Sequence, residues 1–298
     1  MTTPSTGELI DIVAVGNTLG EGVLWDPVGA RTWWSDIQER RLFRYDPLTR
    51  ALEEFELPER LCSFGLIEGC DKLVAAFESG FAVYHPESGQ LDWVNRPEHA
   101  ATHVRFNDGR VDRQGRFWAG SMVEGDGEPK GKLYCLDGDE AKVHLSDIAI
   151  SNSICFSPDG KYLYFADSPH RVILRYDIDA ASGTLSSRQI FARTPQGAFP
   201  DGANVDAEGH LWSAHWGAGR VVRYTPEGSI SGAIDIPTTQ VTCVAFGGAN
   251  LDLLFVTSAR EGMSEATLAQ QPNAGDVFVY KLNVKGLPEP RFAMKLLA

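Results

Sequence analysis

The sequence contains six similar segments, and in each a strand-like run ends near a tyrosine. Ahead of each tyrosine lies a second run rich in aromatic and β-branched residues, as expected for a buried strand. A third run precedes it across a turn such as Asp159-Gly160, and a weaker fourth run follows, for example at Ala51–Leu57 and Ile230–Ile236. Four strands repeated about every 40 to 55 residues predict the blades of a β-propeller. The six tyrosines are Tyr45, Tyr84, Tyr134, Tyr176, Tyr224 and Tyr280.

Six units predict an all-β, six-bladed propeller with four antiparallel strands per blade, in a single domain over residues 1–298. The N-terminal run Leu9–Val15 precedes the inner strand of the first blade. We expect it to complete the last blade and close the ring, because closure removes exposed sheet edges. One short helix is expected near Ser264–Gln270, with Ser264 as its cap and Pro272 ending it.

A ring of polar residues is predicted at one mouth of the central channel. In FPDGANVDAEGHLW at Phe199–Trp212, Asp201 precedes an apolar strand, a tight turn and a second strand. When the six inner strands are aligned by their last residues, the position of Asp201 is polar in every blade. Because the inner strand runs along the channel, these residues should converge. They are Glu21, Ser63, Asn107, Asn152, Asp201 and Thr242.

The residue types in this ring favour a cation site. A water-lined channel is polar in any case, which is enough to explain Ser63 and Thr242. Two carboxylates held close together either share a proton or bind a cation. All the donors are oxygens, which suits calcium, magnesium or manganese better than thiolate-bound zinc. Zinc or ferrous iron held by oxygen ligands stays an alternative.

Strand order places further candidates at the same mouth. Glu124 either contacts a substrate or belongs to a solvated turn. The same two interpretations apply to His215 and Trp216, and the aromatic plane of Trp216 would suit a sugar ring. Arg105 lies on the same side of an extended segment as Asn107 and suits hydroxyl or oxyanion recognition; a plain surface arginine is the alternative. The loops that follow the second strands are Met122–Lys130, Ser168–Arg171, His215–Ala218 and Glu261–Asn273.

Charge and composition exclude several classes of partner. With 40 acidic against 27 basic residues, the formal net charge of -13 disfavours nucleic acid and anionic membranes. Met1–Gly7 lacks signal-peptide features, and no apolar run reaches the roughly 20 residues of a membrane span. We therefore expect a cytoplasmic protein with a small-molecule partner. The five cysteines are odd in number and form no CxxC pair, which predicts small buried thiols.

Four motifs in the same order resemble the SMP-30/gluconolactonase/regucalcin family. Each is weak alone, but together they are specific, and the resemblance extends over essentially the whole chain to Gln271–Val277. The motifs are LGEGVLWDP at Leu19–Pro27, RFNDGRVDRQGRFWAGSM at Arg105–Met122, ISNSICFSPDGKYLYFADS at Ile150–Ser168, and FPDGANVDAEGHLW.

This resemblance implies a six-bladed propeller with one divalent metal in the channel, acting mainly as a sugar lactonase. The family's metal ligands fall on Glu21 of GEG, Asn152 of SN and Asp201 of PDG. Its substrate-contacting residues in RFNDG fall on Arg105 and Asn107.

One position departs from the family pattern. A further substrate-contacting Glu is expected in the loop after the second strand of the third blade, but an ungapped alignment places Gly125 there, beside Glu124. We take Glu124 as the candidate. The departure puts the exact sugar in question and leaves the chemistry unchanged.

The reaction that the resemblance implies is metal-dependent hydrolysis of an aldonolactone, such as glucono-, xylono-, arabino- or galactonolactone, to the aldonic acid. The ion polarises the carbonyl, and water attacks it. Asp201 would be both ligand and general base. A metal-bound hydroxide is an alternative, because a nearby metal makes the carboxylate a weaker base. The chain has no GxSxG elbow for a serine mechanism.

Other functions remain as alternatives. The ring could bind calcium in a regulatory protein that catalyses nothing, or the same metal could serve a promiscuous esterase or organophosphate hydrolase. A scaffold propeller that binds protein is disfavoured, because it does not need a Glu, Asn and Asp ring.

Overall fold

The computed structural model describes residues 7–98, 103–125 and 128–294. These residues form six four-stranded antiparallel sheets, arranged as a six-bladed β-propeller, which confirms the predicted fold class. Residues 126–127 of the predicted loop Met122–Lys130, and residues 1–6 of the polar N-terminal stretch, lie outside the described residues. The assignment of residues 1–298 to a single domain stays a prediction.

The strands follow the blades in chain order after one N-terminal strand, β1 (Gly7–Val13). Blade 1 contains β2 (Gly20–Asp26), β3 (Arg31–Asp36), β4 (Arg41–Tyr45) and β5 (Leu52–Glu56). Blade 2 contains β6 (Leu61–Leu66), β7 (Leu73–Phe77), β8 (Gly80–His85) and β9 (Gln90–Asn95). Blade 3 contains β10 (Val104–Val111), β11 (Phe117–Val123), β12 (Gly131–Asp137) and β13 (Glu140–Ile148).

The remaining three blades repeat the same order, from an inner to an outer strand. Blade 4 contains β14 (Ser151–Phe156), β15 (Tyr162–Asp167), β16 (Val172–Ile178) and β17 (Leu185–Arg193). Blade 5 contains β18 (Phe199–Val205), β19 (Leu211–Trp216), β20 (Arg220–Tyr224) and β21 (Ile230–Asp235). Blade 6 contains β22 (Val241–Gly247), β23 (Leu253–Ser258) and β24 (Val277–Leu282), with β1 as its outer strand.

The N-terminal strand closes the ring as predicted. β1 pairs antiparallel with β24, so the outer strand of blade 6 comes from the opposite end of the chain. The Tyr45 hydroxyl donates a 2.8 Å hydrogen bond to Oδ2 of Asp11, which ties blade 1 to this strand. Arg50 also pairs with Asp11. Closure therefore depends on contacts of the chain's first strand with β24 in its own blade and with blade 1.

Aromatic side chains fill the space between the blades. Trp34, Trp118 and Trp212 are fully buried, because the second strand of each blade is covered on both faces. Two of these indoles are fixed by an acid at the end of the preceding inner strand. Trp118 Nε1 donates to Asp112 and Trp212 Nε1 donates to Asp206, both at 2.9 Å. The repeated D-x-x-G turn thus holds inner and second strands together.

The predicted helix is confirmed as α1 (Glu265–Gln270), and the hydroxyl of Ser264 accepts from Thr267 N at 3.2 Å as its cap. A short 3-10 turn at Ser168–His170 was not predicted. No helix within the described ranges is long and apolar enough to cross a membrane. All five cysteines are free thiols; four are buried, as expected, and Cys70 is half-buried.

The inner strands begin at one mouth of the channel, the upper mouth, and end at the lower mouth. Residues 285–293, here called the strap, cross the lower mouth after β24. The strap hydrogen-bonds to blade 6 at Leu251, blade 5 at Ala207, blade 3 at Gly115 and blade 2 at Leu66. Arg291 adds a 2.6 Å bond to Asp26 of blade 1. The strap thus covers the lower end of the channel.

Deleting residues 1–13 is expected to lower the melting temperature by roughly 10 °C, because it removes a whole paired strand and exposes the edge of β24. Differential scanning calorimetry with light scattering measures both the melting and the aggregation that an open edge promotes. Deletion of residues 1–6 alone is the control, since it leaves β1 in place. Equal melting of the two deletion variants would contradict a closing role for β1.

Candidate metal and substrate site

All six predicted ring positions lie on inner strands near the upper mouth, and all six are buried. Each inner strand carries one extra residue at this point relative to its partner strand, which is a β-bulge. A bulge re-aims side chains and increases local twist. The shifts fall between Glu21 and Leu24, Leu61 and Ser63, Phe106 and Gly109, Asn152 and Cys155, Pro200 and Ala203, and Val241 and Val244.

Unusual backbone next to the ring allows this geometry. Gly22 has φ of 62°, a conformation that glycine adopts without strain. Ser153 adopts φ of 58° although it carries a side chain, and its hydroxyl donates a 2.6 Å hydrogen bond to the carbonyl of Asp201. A Cβ atom on Gly202 would lie 2.5 Å from Sγ of Cys243. Blades 5 and 6 can therefore approach this closely only with glycine there.

Four ring members line a cavity of about 300 Å³ that opens at the upper mouth. They are Glu21, Asn107, Asn152 and Asp201. The other two positions do not line it. Thr242 donates to the carbonyl of Gly20 at 2.5 Å, which joins blades 6 and 1, and Ser63 lies buried against Gly109. The structure thus separates oxygen-rich ring members from two hydroxyls that serve blade packing.

Glu21 and Asp201 form a buried acid pair. The pKa of Glu21 is raised to about 8, first by burial and then by the charge of Asp108, while a hydrogen bond from the N–H of Gly22 offsets part of the shift. Burial and then the charge of Glu21 raise the pKa of Asp201. Buried like charges are relieved either by protons or by a cation. The pair therefore has the electrostatic properties of a cation site.

Asp108 is a third buried carboxylate that the sequence analysis did not single out. It is 6% exposed, and its Oδ2 accepts a 2.7 Å hydrogen bond from Ile154 N. Strand alternation would place it opposite Asn107, but the bulge between Phe106 and Gly109 lets neighbouring residues both reach the channel. In the sequence, only its place as the aspartate of the RFNDG motif indicated Asp108 as a candidate.

Hydrogen bonds fix the two carboxamides. Asn107 Nδ2 donates to Oδ1 of Asn152 at 3.0 Å and to the carbonyl of Ser151 at 2.9 Å. Asn152 Nδ2 donates to the Ser168 hydroxyl at 2.8 Å, and that hydroxyl donates to the carbonyl of Pro200. Because its nitrogen is occupied by Ser168, Asn152 keeps its oxygen on the ring side.

Arg105 is 4% exposed and joins the ring to the rim of the cavity. Its Nη1 donates to Oδ1 of Asn107 at 2.7 Å, and its Nε donates to Glu124 at 3.1 Å. Arg105 and Asn107 therefore lie side by side, as expected from their spacing. With one guanidinium nitrogen not used in these bonds, Arg105 can still contact a ligand in the cavity that it lines.

Glu124 lies between two arginines rather than in a solvated turn. Arg60 donates to both of its carboxylate oxygens, at 2.7 and 3.0 Å, and also bonds Glu78 at 2.6 Å. The bond from Arg60 is the main reason that the pKa of Glu124 is lowered. Arg60 is a second cation at this mouth that no motif indicated, because it comes from the start of blade 2. Glu124 does not line the cavity, and it holds Arg105 from the rim.

The side chains of His215 and Trp216 point to opposite faces at the end of β19. Trp216 lines the cavity, whereas His215 is 1% exposed and its Nε2 lies 3.2 Å from the Tyr224 hydroxyl. Neighbouring residues on a strand point to opposite faces, so only one of the two can face a ligand. Burial lowers the pKa of His215 to about 4, which keeps the imidazole neutral.

A second group of potential metal ligands lies at the lower end of blade 5. Asp206, Glu208 and His210 present one ligand atom each within 4.8 Å. The carboxylate of Asp206 accepts hydrogen bonds from Trp212, from Arg223 at 2.7 and 2.9 Å, and from two backbone N–H groups. Because Arg223 already balances its charge, this group stabilises a strand corner.

The fold and site define the class of the protein as a six-bladed β-propeller with buried carboxylate and carboxamide groups converging at one mouth. The family profile described as "SMP-30/Gluconolactonase/LRE-like region" matches residues 19–260. This chain belongs to that family, which confirms the resemblance of its motifs.

Named relatives cover almost the entire chain. The 6-deoxy-6-sulfogluconolactonase of Pseudomonas putida is 39% identical, over 95% of this chain and 97% of its own length. The L-arabinolactonase of Azospirillum brasilense is 38% identical, over 93% of each chain. Among solved structures, the calcium-binding protein regucalcin from Agrobacterium tumefaciens superposes with a TM-score of 0.91 at 32% identity, covering 95% of this chain and 97% of that one.

The buried imidazole predicts a loss of stability in acid. The folded-state pKa of His215 is about 4 and its unperturbed value is 6.5. The unfolded chain therefore binds the extra proton between these values, and stability falls as pH is lowered through this window. The contribution of this group is about 3 kcal/mol. In His215→Gln, urea unfolding between pH 7 and pH 4.5 should show a smaller loss than in the parent.

The control for this measurement is His170→Gln, which removes an exposed imidazole from the same face of the propeller. It should retain the parental pH dependence. If His215→Gln loses as much stability in acid as the parent does, then the acid sensitivity comes from other groups.

Proposed function

We propose that this protein hydrolyses a sugar lactone to the open-chain acid with the help of one divalent cation in the upper cavity. The observation that carries the proposal is the buried pair Glu21 and Asp201, with the oxygen of Asn152 beside it, on the wall of a 300 Å³ cavity. A cavity of this size suits a single monosaccharide. The names of the Pseudomonas and Azospirillum relatives support the same reaction class.

Glu21, Asn152 and Asp201 would hold the cation. The fit is supported by the chemistry of the donors, which are two carboxylates and one carboxamide without nitrogen or sulfur, as calcium, magnesium and manganese prefer. It is also supported by the raised pKa values of the two acids, because a cation would relieve the repulsion that raises them. When bound, the ion would supply Lewis-acid polarisation of the lactone carbonyl.

The chain's own residues would bind the sugar and move the proton. Asp201 accepts a proton from the water that attacks the carbonyl carbon, since its carboxylate lines the cavity. The bond between that carbon and the ring oxygen then breaks, and the proton passes from Asp201 to the released oxygen. Arg105 and Asn107 hold hydroxyl groups of the sugar. Trp216 covers an apolar face of the ring and excludes water. Glu124 belongs to the substrate-binding group by fixing the Arg105 guanidinium.

Residues 1–298 are proposed to act as a single propeller domain. Cytoplasmic location, and the lack of a nucleic-acid or membrane partner, stay predictions from the acidic composition and the absence of a long apolar run in the sequence.

A second candidate function is calcium binding without catalysis. The acid pair favours it as much as it favours a lactonase, and the Agrobacterium regucalcin carries the description "calcium-binding protein". A panel of aldonolactones assayed with and without chelator, and after return of individual metals, separates the two functions. Chelator-sensitive acid release supports the lactonase. Tight calcium binding without hydrolysis of any lactone would favour the second candidate.

Asp201→Asn tests the two duties assigned to Asp201. Asn keeps a carbonyl oxygen for the ion but cannot accept the proton. We expect weaker cation binding and, at saturating metal, a fall in kcat of about 10²- to 10⁴-fold, the usual contribution of a general base. Cation affinity is measured by calorimetric titration, and kcat by acid release in a pH-stat.

Glu21→Gln is the matched control, because it removes the same charge from the same pair without removing the proposed base. It should weaken cation binding while retaining more of the saturated rate. If both variants lose the same factor in kcat at saturating metal, Asp201 is only a ligand.

Arg105→Ala should raise KM for aldonolactones by about tenfold to a hundredfold, the scale of one or two lost charge-assisted hydrogen bonds. Cation affinity should not fall, because Arg105 is not a ligand and the loss of its positive charge beside the acid pair favours a cation. Arg220→Ala is the control, because Arg220 does not line the cavity and pairs with Asp235 on the outer strands of blade 5. Loss of cation binding in Arg105→Ala would contradict a substrate-binding role.

A further inference from the structure

Beneath the acid pair, a second set of charges extends down the channel to the strap. Arg110 on β10 is 8% exposed, and its Nη1 donates to Oε1 of Glu289 in the strap. The same oxygen accepts a 2.9 Å hydrogen bond from Asn204 Nδ2. The side chain of Glu289 is 10% exposed. An ion pair between an inner strand and a terminal segment is therefore buried at the centre of the lower mouth.

Glu289 is the main compensation for the charge of Arg110. Nη2 of Arg110 reaches only the carbonyl of Val244, at 3.5 Å, and its Nε has no hydrogen-bond partner among the described residues. Removing the partner of a buried cation costs folding free energy and leaves an uncompensated positive charge. Glu289 in the strap is thus the carboxylate bonded to Arg110, and Asp108 is a second carboxylate on the wall of the same chamber.

This pair is electrostatically connected to the candidate site through Asp108. Asp108 directly follows Asn107 of the ring and lies two residues before Arg110 on β10. Its buried carboxylate accepts a hydrogen bond from the N–H of Ile154, two residues along β14 from Asn152. A small chamber of about 10 Å³ lies between these levels and is lined by Asp108, Arg110 and Glu289. Such a volume holds about one water, so the charges interact through little solvent.

We propose that Glu289 is a positioning residue for the cation site: by neutralising Arg110 from below, the strap keeps the field at Glu21 and Asp201 negative enough to bind a divalent ion. The inference rests on the proposed function for the existence of a cation site, and it assigns to the strap the setting of that site's affinity. Glu289 itself touches neither the ion nor the substrate. Its effect passes through Arg110 and Asp108.

The size of the effect follows from distance and charge. Asn107 of the ring and Arg110 are three residues apart on one strand, which is about 10 Å of extended chain. One unbalanced charge acting on a divalent ion over roughly 10 Å, at an effective dielectric constant of about 20, changes affinity on the order of a hundredfold. Glu289→Gln should therefore weaken calcium binding by about this factor. Gln keeps an acceptor oxygen for Arg110 and Asn204, so the strap can remain in place.

The experiment is a charge-neutralisation cycle measured by calorimetric titration of the full chain with calcium. Glu289→Gln should weaken binding, and Arg110→Gln combined with Glu289→Gln should return the affinity to within about threefold of the parent, because the pair is again neutral. Glu227→Gln, an exposed carboxylate on blade 5, is the control for net charge. Thermal melting of every variant in chelator reports the structural effect separately.

A purely structural role would give a different pattern. In that case the double variant would bind calcium as weakly as Glu289→Gln or more weakly, since it removes more native contacts, and this result overturns the inference. Parental affinity in Glu289→Gln also overturns it. If the parent chain binds no divalent cation at all, the proposed cation site fails and the inference fails with it. If calcium binds with the predicted cycle but no lactone is hydrolysed, the inference stands and only the proposed reaction fails.

Discussion

The structure depends on one constraint: six inner strands converge on a single narrow channel. Each of them carries one extra residue, a β-bulge, near the upper mouth. With the regular alternation of side chains along a strand, every second side chain would point away from the channel and into a blade. The bulges break it, so that Asn107 lines the upper cavity while Asp108 lines the chamber beneath. The convergence of carboxylate and carboxamide groups, the close approach of glycines and the strained backbone of Ser153 all follow from this local insertion.

Gathering acids in this way opposes folding. Glu21, Asp108 and Asp201 are each buried, and burial is the largest cause of the raised pKa of all three. Such a group of carboxylates is stable only with protons or cations to balance it. The opposing stability comes from between the blades, where fully buried residues such as Trp34 and Trp212 pack in every gap. A candidate site with bulged strands and buried acids is thus supported by a repetitive scaffold with regular strands and an apolar core.

The features that the sequence predicted are those encoded within one blade. Strand count and the tyrosine positions follow from local patterns, and the ring follows from counting along a strand, because the period of a strand is two. Arg60 and Glu289 were missed because they act through contacts across 64 and 179 residues, which no periodicity encodes. The choice between His215 and Trp216 required the register of β19, which sequence pattern alone did not fix. The resemblance of the motifs selected Glu21, Asn152 and Asp201 from the ring as proposed metal ligands, but it did not indicate which side chains bind Glu124.

The two ends of the chain complete the ring and the floor of its channel. β1 docks on β24, while the strap contacts blades 1, 2, 3, 5 and 6. The strap can make these contacts together only after those blades have taken their final positions, because each supplies one fixed backbone or side-chain partner. Glu289 reaches Arg110 in the same step. The charge balance beneath the acid pair therefore requires the strap to be docked on the assembled blades, so that the last segment of the chain completes a level of the channel built from inner strands.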